Sequence, residues 1–334
     1  MRKITILTPH RFMLSSLAIP FDVFKGAGVY WNILNDRAPE PLFDVKTVSV
    51  DGNPVQTYDG LELKPDASID DVDDSETILI PPSDASETLE PEVVSWLLDA
   101  HARGADIASI CLGAFLLAKT GLLDYKDATT HWGYANRFRK EFPRVRLKQG
   151  EIITDEGNLL CSGGANAGGD LSLYLIAKYV NKEVAHQTAR VMVMDADRKS
   201  QLPYLTYRFD KTHGDRGILD IQAWIEDHFN EDVTVDLLAA RANMTRRTLE
   251  RRFREATGES PRRYIQRIRV EKAKQFLQEG GMTFDEITYR VGYEDSSTFS
   301  RVFKKNTGLS PVLYKRKFSL VVTPSTHSPS TGIV

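Results

Sequence analysis

Cys111 stands where its surroundings decide its chemistry. The stretch ADIASICLGAFLLAKTGLL runs an apolar strand straight into this cysteine and opens an apolar helix at Gly113-Ala114. A side chain on such a strand-to-helix turn is held at the carboxyl edge of a sheet, as in a nucleophile elbow. A thiol facing a helix N-terminus is also lowered in pKa, which activates it. The alternative is a small buried hydrophobe. Further on, ATTHW brings His131 and Trp132 to the same edge at a strand end, and LAIPFDVFKGAG offers Asp22 after the first strand. Cysteine, histidine and acid in convergence are the parts of covalent catalysis. The turn IPPSDA adds Ser83, and CSGGANAGGD puts Gly164 in a glycine-rich turn before a helix. That turn lacks GxGxxG or Walker spacing, so close packing or a positive φ is its simpler purpose. Asp22, Ser83, Cys111, His131, Trp132 and Gly164 therefore form a candidate pocket, because ligands of open α/β sheets sit beyond the carboxyl ends of the strands. No cluster of ligating residues has metal spacing, and no cofactor is called for.

A second chemistry is written near the other end of the chain. Arg246, Arg247, Arg251, Arg252 and Arg254 crowd one helical stretch, and Arg301, Lys304 and Lys305 crowd another. The two stretches are copies: TGESPRRY at 257–264 is echoed by TGLSPVLY at 307–314, and Thr248, Arg251 and Phe253 recur as Thr298, Arg301 and Phe303. Eight identical positions share one offset of fifty residues. In each copy a glycine (Gly258, Gly308) ends a helix in the left-handed conformation. A serine (Ser260, Ser310) then caps the next helix, with proline at its first position. A short helix, Val235–Arg241 or Phe284–Val291, precedes each basic helix across a tight turn containing Ala242 or Gly292. This is helix-turn-helix arithmetic. Leu249 and Phe253, or Phe299 and Phe303, supply the buried face. Pro261–Gln278 lies between the copies as a helix of roughly 27 Å at 1.5 Å per residue, able to set the basic helices about one DNA turn apart.

The elements that position both sets of residues fall into two classes. Over residues 1–195 strands alternate with helices: KITILT, FDVKTVSV, ETILIPP, ADIASI, DATTH, GEIIT and NLLCSGG read as strands. Helices are expected over Ala18–Leu34, Pro91–Ala102, Leu112–Thr120, Trp132–Phe142, Gly169–Tyr179 and Lys182–Met194. The alternation predicts a flavodoxin-like α/β sandwich with a mainly parallel sheet. Periodicity breaks down over 196–216, the expected linker. Residues 217–318 read as all-α with two helix-turn-helix units, and 319–334 as a Ser/Thr/Pro-rich disordered tail.

Composition agrees with two parts of different purpose. The chain has 334 residues and a formal net charge of −3, but Arg241–Phe318 carries 19 Lys and Arg against 9 Asp and Glu, leaving 24 against 37 elsewhere. A basic domain of about +10 joined to an acidic one of about −13 points to an anionic partner for the former. Two cysteines, Cys111 and Cys161, give no disulfide framework and suit a reducing compartment. No signal peptide or apolar run of membrane-spanning length is expected, so the reading is a soluble cytoplasmic protein.

The C-terminal region, with GYEDSSTFSRVFKKNTGLSPVLYKR as its most specific segment, resembles the AraC/XylS family DNA-binding domain over about 100 residues. The resemblance implies two recognition helices in successive major-groove segments. The positions matching base-reading residues are Arg247, Glu250 and Arg251 in the first helix, and Ser297 and Arg301 in the second. Arginine grips guanine bidentately and glutamate accepts from cytosine. Thr245, Ser296 and Lys304 are placed for phosphates. Over about 190 residues the N-terminal part is similar to the ThiJ/PfpI class of the glutamine-amidotransferase-like superfamily, on ICLGAFLLAKTGLLD and ATTHW. Hydrolytic members place His after the elbow cysteine, where this chain has Leu112, which cannot take a proton. Their oxyanion turn is here IPPSDA, and Pro81 and Pro82 have no N–H to donate. Asp22 stands for a longer Glu. The resemblance therefore implies a transcriptional activator rather than an enzyme, with Cys111, His131 and Asp22 residual. Its effector would be an amine or amino-acid-like metabolite, with a cationic headgroup over Trp132 near Asp22. Duplex DNA, RNA polymerase and a second copy of the chain are the expected partners, and no membrane. The rival readings are a cysteine hydrolase or glyoxalase-like enzyme and a redox sensor acting through Cys111.

Overall fold

The computed structural model describes residues 1–84, 89–196, 198–207 and 209–320, and the chain divides into two compact units, Met1–Gln201 and a second beginning at Leu202.

The first unit is built on a seven-stranded sheet in the order Ile153–Asp155, Leu159–Ser162, Asp106–Ile110, Thr77–Ile80, Arg2–Leu7, Phe43–Ser49, Ala67–Ser68. The strands run parallel except the edge pair Ile153–Asp155 and Leu159–Ser162. Its inner strands are buried on both faces, IASI and TILI alike, as parallel strands covered by helices must be. One apolar layer joins Val93 and Leu97, Phe115 and Leu117, and Phe138 to the sheet. The other joins Val23 and Phe24, Leu171 and Ile176, and Ala185 and Ala189 to the opposite face. The result is the expected three-layer α/β sandwich with a mainly parallel sheet.

Two elements depart from expectation. Ala18–Leu34 is not one helix but two, Leu14–Gly26 and Tyr30–Leu34. DATTH does not reach the main sheet: only Asp127–Ala128 is strand, paired with Arg146–Leu147, and the chain then enters a 3-10 turn at Trp132–Tyr134. His131 is therefore presented by a loop.

The second unit is all-α. The central helix Pro261–Glu279 gives Tyr264, Ile265 and Ile268 to one core, with Leu238, Leu249 and Phe253. It gives Val270, Ala273 and Leu277 to the other, with Ile287, Phe299, Phe303 and Tyr314. The duplicated turn behaves as its residues require. Gly258 and Gly308 end their helices at φ 78 and 73, and Ser260 and Ser310 accept from the N–H groups of Arg263 and Leu313. Thr257 and Thr307 explain their own recurrence: each hydroxyl donates back to the carbonyl of Phe253 or Phe303, at 2.7 and 2.9 Å. In the turn with Ala242 the left-handed residue is Asn243 (φ 51), and in the other it is Gly292 (φ 81); asparagine is among the few residues that tolerate it.

Within the expected linker 196–216, described residues from Lys199 to Phe209 make bonds and packing contacts. Lys199 and Gln201 bond to the stretch Gly150–Ile152, so residues 199–201 belong to the first unit. Beyond Leu202 the chain straps both halves of the helical unit. Leu202 and Pro203 lie against Gly308, and Tyr204 packs on Phe318. The Leu205 carbonyl accepts from Lys274 at 2.6 Å, the Tyr207 hydroxyl donates to Glu259 at 2.9 Å, and Phe209 packs on Tyr264. Polar composition there reflects hydrogen bonding, not freedom. Of the expected tail, Ser319 and Leu320 are described, the latter bonded to the Gln278 carbonyl, and residues 321–334 lie outside the described residues.

Candidate functional sites: a strained elbow and two basic helices

The strand Asp106–Ile110 ends at Cys111, whose φ of 56 lies in the left-handed region that a side chain disfavours. The strain is held from both sides. The Cys111 N–H donates to the Ser162 carbonyl at 2.8 Å, and its own carbonyl accepts from the Thr130 hydroxyl at 2.8 Å. Gly113 is required next, because a Cβ there would sit 2.1 Å from the Ile80 carbonyl oxygen. The backbone of a nucleophile elbow is present. The activated thiol is not. Cys111 is 6% exposed, and burial pushes its pKa from 9.0 up to about 12, overriding the hydrogen bond from Leu112 that favours the thiolate. The expectation of a lowered pKa is overturned by desolvation.

A cavity of about 540 Å³ opens over the elbow. Cys111 and Leu112 line it. Arg11, Met13, Tyr58, Pro82, Ser83 and Asp84 line it too, with His131, Tyr134, Arg137 and Ala165. Three sequence candidates thus meet there: Ser83, Cys111 and His131. Gly164 sits behind, where a methyl group would lie 3.6 Å from His131 Cδ2. Trp132 stacks on the His131 ring at 5.1 Å without lining the cavity among the described residues. Asp22 is exposed on Leu14–Gly26 and does not line this cavity either, so the cavity does not bring Trp132 and Asp22 together around an amine. The glycine run at 161–170 serves packing, Gly163 abutting Gln201 and Gly169 abutting Met194.

His131 Nδ1 accepts from the Gly133 N–H at 3.1 Å, which places its proton on Nε2. Burial lowers the pKa of this ring, keeping it neutral at pH 7. A residue with no sequence signal braces the loop. Gln201, 3% exposed, accepts from the Trp132 N–H at 3.1 Å and donates to the carbonyls of Thr130 and Glu151 at 2.9 and 3.1 Å. Arg11 and Tyr58 were equally invisible, since each stands in a loop whose path depends on partners far along the chain. A separate cavity of about 620 Å³ lies by Asp170, His186 and Arg198. Among the described residues no group of three or more His, Cys, Asp or Glu is placed to hold a metal, and no helix is long and apolar enough to cross a membrane.

In the helical unit Arg247, Arg251, Ser297, Arg301 and Lys304 are exposed, as base and phosphate contacts require. Glu250 is half-buried and pairs with Arg246 at 3.3 Å, and Arg251 pairs with Glu255 at 2.9 Å. Arg252 points inward to Asp215 at 2.6 and 2.9 Å and is structural. Thr245 caps its helix by accepting from the Thr248 N–H at 3.2 Å; the corresponding cap in the second copy is Asp295, with Ser296 the first helical residue.

The DJ-1/PfpI family model matches residues 2–178, more than half of the chain. The chain belongs to the DJ-1/PfpI family. In this member a helix-turn-helix domain follows at 238–317. The chain is 26% identical to the HTH-type transcriptional regulator GbdR of Pseudomonas aeruginosa over 93% of its own length and 83% of that protein. It is 25% identical to the HTH-type transcriptional regulator GlxA of Rhizobium meliloti over 95% and 96%. Among solved structures, an AraC family transcriptional regulator from Pseudomonas putida matches 57% of this chain and all of its own at 20% identity and a TM-score of 0.50, a likeness of fold. The recognised architecture, a DJ-1/PfpI unit followed by an AraC-type helical one, is thus shared with named transcriptional regulators.

Proposed function

We propose that this DJ-1/PfpI family member is a sequence-specific DNA-binding transcriptional regulator, an activator controlled by a small metabolite in the cavity over Cys111. The carrying observation is the duplication. Two capped basic helices, Arg246–Thr257 and Ser296–Thr307, share one central helix and present Arg247, Arg251 and Arg301 to solvent. Exposed arginines on matched second helices are what major-groove reading needs. In this reading Arg247, Glu250, Arg251, Ser297 and Arg301 meet base edges, while Thr245, Ser296 and Lys304 meet phosphates. The regulator acts as a homodimer and engages RNA polymerase.

Against an enzyme stand a protonated thiol and Leu112 in place of a base. The same protonated thiol argues against a redox sensor, since oxidation starts from thiolate.

Selection of duplexes from a random-sequence pool by the full chain tests the DNA reading: the enriched site should hold two half-sites about one helical turn apart, with binding that falls steeply with salt. Failure to enrich any sequence sinks it. The effector reading is tested by Ala165→Phe, which fills the cavity and should alter transcription from a reporter carrying the selected site; unaltered transcription overturns it.

A further inference from the structure

We propose that the cavity over Cys111 is built for a small carboxylate, gripped by Arg11, Ser83 and His131, a proposal that rests on its reading as the effector site.

Donor side chains outnumber carboxylates among the described residues around this cavity. Ser83 is 7% exposed, lines the cavity, and its hydroxyl has no hydrogen-bond partner among the described residues. A buried hydroxyl left unpaired costs free energy, and in a cavity wall it is satisfied by what the cavity takes. Arg11 has no acidic partner among the described residues; its guanidinium stands over the Tyr58 ring, 5.4 Å from the centroid. It is also held at φ 52, a left-handed conformation that arginine disfavours and that clusters at ligand sites. The loop carrying it is fixed in place: the Arg11 N–H donates to the Gln56 carbonyl at 2.9 Å, and the Met13 N–H to the Pro82 carbonyl at 3.2 Å. That second bond ties the Arg11 loop to the loop of Ser83. His131, with Nδ1 occupied by Gly133, adds an Nε2–H. The Cys111 thiol, kept protonated by burial, adds a weak donor rather than a negative charge.

Among the described residues that line the cavity, carboxylates do not balance these donors. Asp84, which lines the cavity, already has a partner of its own, and Arg137 is paired with Glu141 at 2.6 Å. A guanidinium, a hydroxyl and an imidazole N–H around one space are complemented by a group that only accepts, carries negative charge and is planar. That group is a carboxylate. Met13, Pro82, Leu112 and Ala165 line the same space and suit a short carbon chain. An ammonium, the form of an alkylamine at neutral pH, only donates and would face donors.

The test uses the full chain and matched probes at constant ionic strength: propionate, butyrate and pentanoate, each beside its amide and the amine of equal length. Thermal unfolding and titration calorimetry are the readouts. The acids should raise Tm with concentration, and the amides and amines should not. Arg11→Met should weaken acid binding about tenfold or more, and Ser83→Ala about three- to tenfold. Ser83→Ala should leave the ligand-free Tm unchanged or raised, because it removes an unpaired hydroxyl, so its loss of binding cannot be misfolding. Amides or amines that bind as well as the acids, with Ala165→Phe blocking them, would overturn the carboxylate while leaving the effector cavity standing. Acid binding untouched by Arg11→Met would do the same. Binding by no probe, or binding that survives Ala165→Phe, would overturn the effector cavity and this proposal with it.

Discussion

The Thr130 hydroxyl donates to the carbonyl of Cys111 at 2.8 Å, both residues being buried. With the Ser162 carbonyl accepting from the Cys111 N–H, this bond over-determines a left-handed cysteine that the chain would otherwise relax. Thr130→Val keeps the shape of the side chain and removes the donor. It should cost about 1–3 kcal/mol, the penalty of an unpaired buried carbonyl. Denaturant unfolding of the full chain, followed by a probe in the first unit, measures it; a loss below a few tenths of a kcal/mol would mean that the elbow is held by packing alone.

Cys111 should be slow to alkylate. With the thiol pushed up to about 12, iodoacetamide labelling at pH 7.5 should be far slower than for an exposed cysteine and should climb about tenfold per pH unit beyond pH 10. The folded state holds this proton more tightly than the unfolded one. Its contribution to stability is therefore complete below pH 9 and is lost as pH rises toward 12. Labelling that saturates near neutral pH would restore an activated thiolate and the enzyme reading.

The two classes of basic residue should fail differently. Arg251→Ala and Arg301→Ala should each relax base preference in one half-site, at about 1–3 kcal/mol. Lys304→Ala should weaken all sequences alike and reduce the salt slope by about one. Binding profiles over the selected site and its single-base variants, taken across a salt series, separate the cases; identical profiles for the three variants would remove the assignment of helix faces.

Lys274 is 5% exposed, donating to Glu271 and to the Leu205 carbonyl, both at 2.6 Å. Burial raises the pKa of Glu271, with the ammonium of Lys274 opposing the rise. Lys274→Met strands a carboxylate and a carbonyl, and should destabilise by about 3–5 kcal/mol. Adding Glu271→Gln removes the stranded charge and should recover most of that loss in the same unfolding measurement. A double variant as unstable as the single one would show that packing of the lysine stem, not its charge, holds the strap.

The duplicated helical unit was legible because its signals are local. A left-handed glycine, a serine cap, a proline at the first position and apolar residues four apart act within one or two turns of chain, and the fold carries them out at 257–264 and 307–314 as written. The elbow was legible for the same reason: Cys111 and Gly113 mark a turn that only a small residue can follow. What the sequence could not determine was set by long-range burial. Asp22 adjoins the buried pair Val23 and Phe24, and docking of that helix on the sheet turns the carboxylate outward. The pKa of Cys111 follows from how completely the fold removes water, a quantity written at no single position. Gln201 and Tyr207 lie in a polar stretch that composition marks as linker. Tertiary structure makes the first a brace for His131's loop and the second a tie to Glu259, because their partners stand about 50 to 70 residues away along the chain.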